Sequence, residues 1–137
     1  SNEDVIGVVP ATLYFLDEAG GLVPMEMTLD LYEGDTQAGA VVKALLAGTE
    51  ERDLYTALPE GFQVTSVRLE ESTCYVDLPS AALAELPEDA DLPLALRALA
   101  ESLLSLRTVG EVRYLVDGEY AAVYGSASVL EPYTAGN

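Results

Sequence analysis

The stretch Leu54–Pro79, LYTALPEGFQVTSVRLEESTCYVDLP, decides how the rest of the chain is read. Tyr55, Pro59 and Gly61 punctuate a short loop. Val64–Leu69 and Cys74–Leu78 are rich in β-branched and apolar residues, and Glu70-Glu71-Ser72 is the polar break between them. Two such runs around a short polar break predict a β-hairpin. Within its second arm Cys74, Val76 and Leu78 alternate with Tyr75 and Asp77, so one face points to a core and the other away from it.

Upstream, Thr12–Leu16 reads as a short strand, apolar on both faces, followed by an acidic, glycine-containing turn over Asp17–Gly21. Val23–Leu31 then alternates: Val23, Met25, Met27, Leu29 and Leu31 on one face, Pro24, Glu26, Thr28 and Asp30 on the other. This is a half-buried antiparallel strand, with Pro24 at a sheet edge because it cannot donate to a ladder. A helix is predicted over Thr36–Ala47, capped by Asp35 or Thr36 and ended by Gly48. Gly39 inside it costs about 1 kcal/mol relative to Ala.

Downstream, Ser80–Leu86 predicts a short helix and Pro87–Ala90 a break. Asp91 is an N-cap with Pro93 in the first turn, and Leu92, Leu96, Leu99, Leu103 and Leu106 form a stripe at helical spacing. The stripe is too short for a coiled coil and reads as a core face. Glu111–Asp117 is a strand, Gly118-Glu119 a turn, and Tyr120–Tyr124 a short further strand. The order is β-β-α-β-β-α-β(-β): an α+β, two-layer sandwich with a mainly antiparallel sheet and both helices on one face. A single domain spans residues 5–132, with loose ends at 1–4 and 133–137.

The 137 residues carry 6 Lys+Arg against 24 Asp+Glu, a net charge of −18. Half of them are hydrophobic, which is a globular composition. Such a surface repels phosphate backbones and, without a lipid anchor, anionic membranes. No apolar run approaches the ~20 residues a membrane helix needs. The chain starts at Ser1 with no initiator Met and no export segment, which reads as a processed fragment.

With no His and a single Cys, neither a Ser-His-Asp nor a Cys-His relay can be built, nor a thiolate or histidine zinc site. Cys74 belongs to the inward face as a small apolar residue. Lys43, the one lysine, lies on a solvated helix face. Carboxylates are abundant, but Asp17, Glu18, Glu88, Asp89, Asp91, Asp117 and Glu119 fall in loops that match no calcium-binding pattern. A glycosidase would line its cleft with aromatics, and the chain has no Trp. No catalytic, cofactor-binding or metal-binding residues are expected. The remaining feature is a set of eight tyrosines. Arg68 and Tyr75 lie on opposite arms of one hairpin and, with Arg113, can form an outward polar–aromatic patch for a partner.

The Leu-Tyr-Thr-Ala-Leu-Pro-Glu-Gly loop followed by the Tyr-Val-Asp-Leu strand resembles the GerMN domain of spore-germination and sporulation proteins and related envelope lipoproteins of Gram-positive bacteria. Leu13-Tyr14-Phe15 with Leu22-Val23-Pro24, the helix Val41–Gly48 and the strand Val112–Glu119 are similar to other parts of that family in the same order, covering Leu13–Glu119. The resemblance implies an extracytoplasmic, non-enzymatic interaction module within an envelope assembly. Its partners would be envelope proteins or further copies, and it would reach the membrane only through a lipid anchor outside this fragment. The family's motif positions Tyr55, Pro59, Gly61 and Asp77 read as structural. A small-ligand or cation sensor in the germination pathway stays open as an alternative, with a wall hydrolase the least favoured.

Overall fold

The computed structural model describes residues 4–136. Strand β1 (Val5–Leu16) and strand β2 (Leu22–Tyr32) form a long antiparallel hairpin. Helix α1 (Gln37–Ala47) follows, with Thr36 Oγ1 accepting the Gly39 N–H at 2.9 Å as N-cap and Gly48 ending it at φ +84°. A Cβ at Gly39 would come within 2.9 Å of that same Thr36 Oγ1, so glycine here protects the cap. Strands β3 (Ser66–Glu70) and β4 (Thr73–Leu78) form the expected hairpin, turning through Glu71 at φ +55°. Ser80–Glu85 is a 3-10 helix. Helix α2 (Leu92–Leu104) begins at Asp91, whose carboxylate accepts the Leu94 N–H.

Strand β5 (Glu111–Val116) lies beside β4 in parallel, the one parallel pairing among the described residues. Strands β6 (Val123–Tyr124) and β7 (Ala127–Ser128) make a separate small hairpin. Strand β8 (Tyr133–Thr134) pairs with β5, completing a sheet of order β3-β4-β5-β8. The architecture is α+β, with α1 and α2 packed on each other and on the strands.

Two expectations are corrected. The first strand begins at Val5, not Thr12: pairing to β2 runs from Val5↔Tyr32 to Leu16↔Leu22, with an irregularity between Val5 and Gly7. Residues 133–137 are not uniformly loose, because Tyr133 pairs with Val112 and its ring meets Tyr114 edge-on at 5.6 Å. At the other end Asp4 is exposed, while Ser1–Glu3, and likewise Asn137, lie outside the described residues.

The core forms where these elements converge. All five leucines of the predicted α2 stripe are buried, against Leu13 and Phe15 of β1, Val41 and Leu45 of α1, Val76 and Leu78 of β4, and Val112 and Tyr114 of β5. Each such side chain contributes about 1.5–3 kcal/mol relative to full exposure. Tyr114 is fully enclosed and donates its hydroxyl to the Leu96 carbonyl at 2.5 Å. Burial pushes that phenol well above its usual value.

Helix α2 also seals the outer edge of β1. The Thr12 N–H donates to Ser105 Oγ and the Tyr14 N–H to Ser102 Oγ, both at 2.9 Å. Each serine then donates its own hydrogen back to the helix, Ser102 to the Ala98 carbonyl and Ser105 to the Ser102 carbonyl, both at 2.7 Å. Two hydroxyls thus stand in for a missing neighbouring strand. Leu16 exchanges backbone hydrogen bonds with Tyr55, and Pro10 has no N–H to satisfy.

Candidate functional site

The register of β3, β4 and β5 fixes which side chains share the face away from the core. Arg68 lies opposite Tyr75, and Tyr75 lies beside Arg113. Since Cys74, Val76 and Val112 point inward, these three point outward in one row across the sheet. The Arg68 guanidinium sits over the Tyr75 ring at 4.6 Å from its centroid, and the Arg113 guanidinium over Tyr120 at 5.0 Å. Each stack lies within the range of a cation–π contact. Arg68 Nε also donates to Glu70 Oε2 at 2.7 Å, and Arg113 donates to the Leu130 carbonyl at 3.2 Å. The Tyr75 phenol is raised above its usual value, first by hydrogen bonding to the Tyr120 hydroxyl, then by lost hydration.

Tyr120 is the residue that sequence reasoning left out of this group. Asp117 and Gly118 take φ +52° and +82°, and Val116 and Glu119 exchange backbone hydrogen bonds across them. That two-residue turn folds the chain back so that Tyr120 arrives beside Arg113. The Asp-Gly dipeptide is the signal that could have found it. Tyr75, Tyr120, Leu115 and Arg68 border a surface cleft of about 580 Å³. Leu115 is 5% exposed and Tyr120 65% exposed, so the cleft has an apolar floor and an accessible aromatic wall.

The loop residues tie this face to the fold. Asp77 Oδ1 accepts the Gly118 N–H at 2.7 Å. Asp117 accepts from the Ser80 N–H at 3.0 Å and the Ser80 hydroxyl at 2.5 Å, and these bonds hold its carboxyl below the usual value. Tyr55 joins Leu16 through its backbone while its ring stays exposed. The Pro59 carbonyl accepts the Phe62 N–H at 3.0 Å. Gly61 takes φ +86°, and a Cβ there would lie 3.3 Å from the Glu85 carbonyl oxygen. Each of these contacts positions backbone.

Burial pushes the Cys74 thiol up to about 11, far from the range of a reactive thiolate. Asp17 Oδ1 accepts from the Ala19 and Gly21 N–H groups and Asp91 caps α2. Among the described residues no three acidic or cysteine side chains gather into a metal-holding group. Lys43 is exposed, its ammonium 5.9 Å from the Tyr32 ring centroid.

The pattern of the Germane family, described as sporulation and spore germination, matches residues 12–121. The chain belongs to this family. Its fold is similar to the first GerMN domain of the sporulation protein GerM from Bacillus subtilis, with a TM-score of 0.68 and 16% identity over 88% of this chain and 92% of that one. The tandem GerMN domains of the same protein give 0.66 and 16%, covering 98% of this chain and 48% of that chain, so this chain spans about half of the pair. A candidate lipoprotein of Clostridium perfringens gives 0.58 and 15%, covering 98% and 92%. At such identities the structural matches speak for the Germane fold and not for shared contacts. Comparison with curated protein sequences gives no match.

Proposed function

We propose that this Germane domain is a non-enzymatic protein-interaction module of an extracytoplasmic sporulation or germination protein, and that it docks through the Arg68–Tyr75–Arg113–Tyr120 face. The observation that carries this reading is the pair of Arg–Tyr stacks side by side on the sheet face away from the core. Arg and Tyr are the residues most often found at the energetic centre of protein interfaces. Here the stacking holds their rotamers before a partner arrives, which lowers the ordering cost of binding. The absence of His from the sequence, and a lone thiol that burial keeps protonated, leave no Ser-His or Cys-His pair for covalent catalysis.

The test is in-cell crosslinking and pull-down of the full-length protein from sporulating cultures, with wild type and a Tyr75→Ala/Tyr120→Ala variant. Envelope proteins recovered by wild type should be lost from the variant, while its melting temperature stays close. Equal recovery by both would remove this face from the reading. The cleft beside Tyr120 favours a second reading, since 580 Å³ falls in the range of small-molecule sites. Under that reading a saturable melt shift with a small metabolite or cation would appear, and it would be lost in the same variant.

A further inference from the structure

The two sheet edges nearest the helices are treated differently. Along β1 the outward donors of Thr12, Tyr14 and Leu16 are satisfied by Ser105, Ser102 and Tyr55. Strand β3 is the end strand of its sheet and has no such plug among the described residues. Its hairpin closes through the two residues Glu71 and Ser72, with Glu70 opposite Thr73. Residues flanking a two-residue turn exchange hydrogen bonds, so Glu70, Arg68 and Ser66 bond toward β4. The Thr65 N–H also reaches the Asp77 carbonyl, at 2.8 Å, so the alternation breaks only where the chain enters β3, before Val67. Val67 and Leu69 therefore direct their N–H and C=O groups away from the sheet, into a groove.

That groove is about 420 Å³, walled by Val67 and Leu69 on one side, by Thr36 and Ala38 at the start of α1 on the other, and by Thr108. Leu69 is 40% exposed and forms much of its apolar rim. A row of backbone donors and acceptors at two-residue spacing beside an apolar trough matches one kind of ligand, an extended polypeptide added as a strand. Charge specifies it further. Asp35 precedes Thr36 in sequence at the α1 end, and Glu71 follows the strand at the other, both exposed. Arg68 is neutralised locally by Glu70. The whole chain carries −18.

We propose that the β3 edge is a strand-addition site for an extended segment of a partner protein, apolar at the residue seated between Ala38 and Leu69 and basic on its flanks. A second copy is disfavoured by the like charge of the chain. The proposal rests on the interaction-module reading only in taking the partner to be a protein, and it places the contact on a different surface from the Arg–Tyr stacks.

The test is selection of a random heptapeptide library on the intact chain, followed by amide NMR titration and hydrogen exchange with the enriched peptides. The expected winners alternate apolar residues with Lys or Arg, shift the Val67 and Leu69 amides and protect them from exchange. Methylating alternate peptide nitrogens should abolish binding, and Leu69→Lys should weaken it by about tenfold or more. Circular dichroism checks that this variant, altered at an already exposed position, is folded. Failure to enrich any peptide over the Leu69→Lys variant overturns the proposal. So does enrichment of peptides that shift Tyr75 and Tyr120 instead, an outcome that would leave the sheet-face reading standing. Concentration-dependent shifts of Val67 and Leu69 without peptide would give the edge to a second copy, which also overturns it.

Discussion

Gly61 holds a backbone conformation that side chains with a Cβ rarely adopt, φ +86°, and its missing Cβ leaves only 3.3 Å to the Glu85 carbonyl oxygen. Both facts point the same way: Gly61→Ala should lower stability by about 1–2 kcal/mol, since the left-handed strain alone is of that order. Urea melts would measure it, and a variant as stable as wild type but defective in partner capture would mark the loop as a contact surface. Cys74 gives a second prediction. It is fully buried, and a thiol raised to about 11 has almost no thiolate at pH ~8. The native protein should stay unlabelled by a thiol-disulfide reagent and react fully in denaturant. Labelling of the native state within minutes would mean the sheet opens around β4. Most of this residue-scale behaviour is legible in the chain itself, because Cys74 alternates with Val76 and Leu78. The Glu85 oxygen beside Gly61 is not, because the chain segments that bring it there are distant in sequence.

At the scale of elements, the local signals and the long-range ones separate. The α2 stripe, the Asp91 and Thr36 caps and the Arg68–Tyr75 pairing all follow from spacing within one element or one hairpin. Tyr75 beside Arg113 arises from a parallel pairing between elements separated by α2, and no local pattern encodes it. Strand β8 is two residues long and exists because Val112 and Tyr114 offer it an edge and a ring. Ser102 and Ser105 sit off the leucine stripe, yet Ser102 is fully buried and closes the β1 edge. Ser102→Ala should therefore cost about 1–3 kcal/mol, the penalty of removing a fully buried hydroxyl that serves as acceptor for the Tyr14 N–H. Ser105→Ala, at a half-buried residue, should cost less, since water can replace the hydroxyl. A denaturant series on the two variants decides it; equal, negligible losses would mean the edge of β1 does not need the helix.

For the whole molecule, charge dominates. A net charge of −18 on 137 residues makes the folded state repel itself more than the expanded chain does. Raising the salt concentration from about 0.01 M to 0.15 M shortens the screening length from roughly 30 Å to 8 Å, which is less than the span of a domain this size. The melting temperature at neutral pH should rise across that range. Lowering the pH toward the sequence pI of 4.1 removes the same repulsion by protonating carboxylates, so stability should also climb as pH falls from neutral. Asp117 acts in the opposite sense. Its folded-state carboxyl is held below the usual value by Ser80, so its contribution is present above the ordinary carboxylate range and is lost as pH falls through that lowered value. The two effects give a stability maximum at mildly acidic pH, with a falling limb below it that Asp117→Asn should flatten. Asp117 also supports the turn carrying Tyr120, so the acid limb should coincide with loss of order at the Arg113–Tyr120 stack, visible as movement of the Tyr120 ring resonances. A melting temperature that is flat in salt and falls steadily from neutral pH downward would show that specific carboxylate contacts, and not net repulsion, set the stability of this domain.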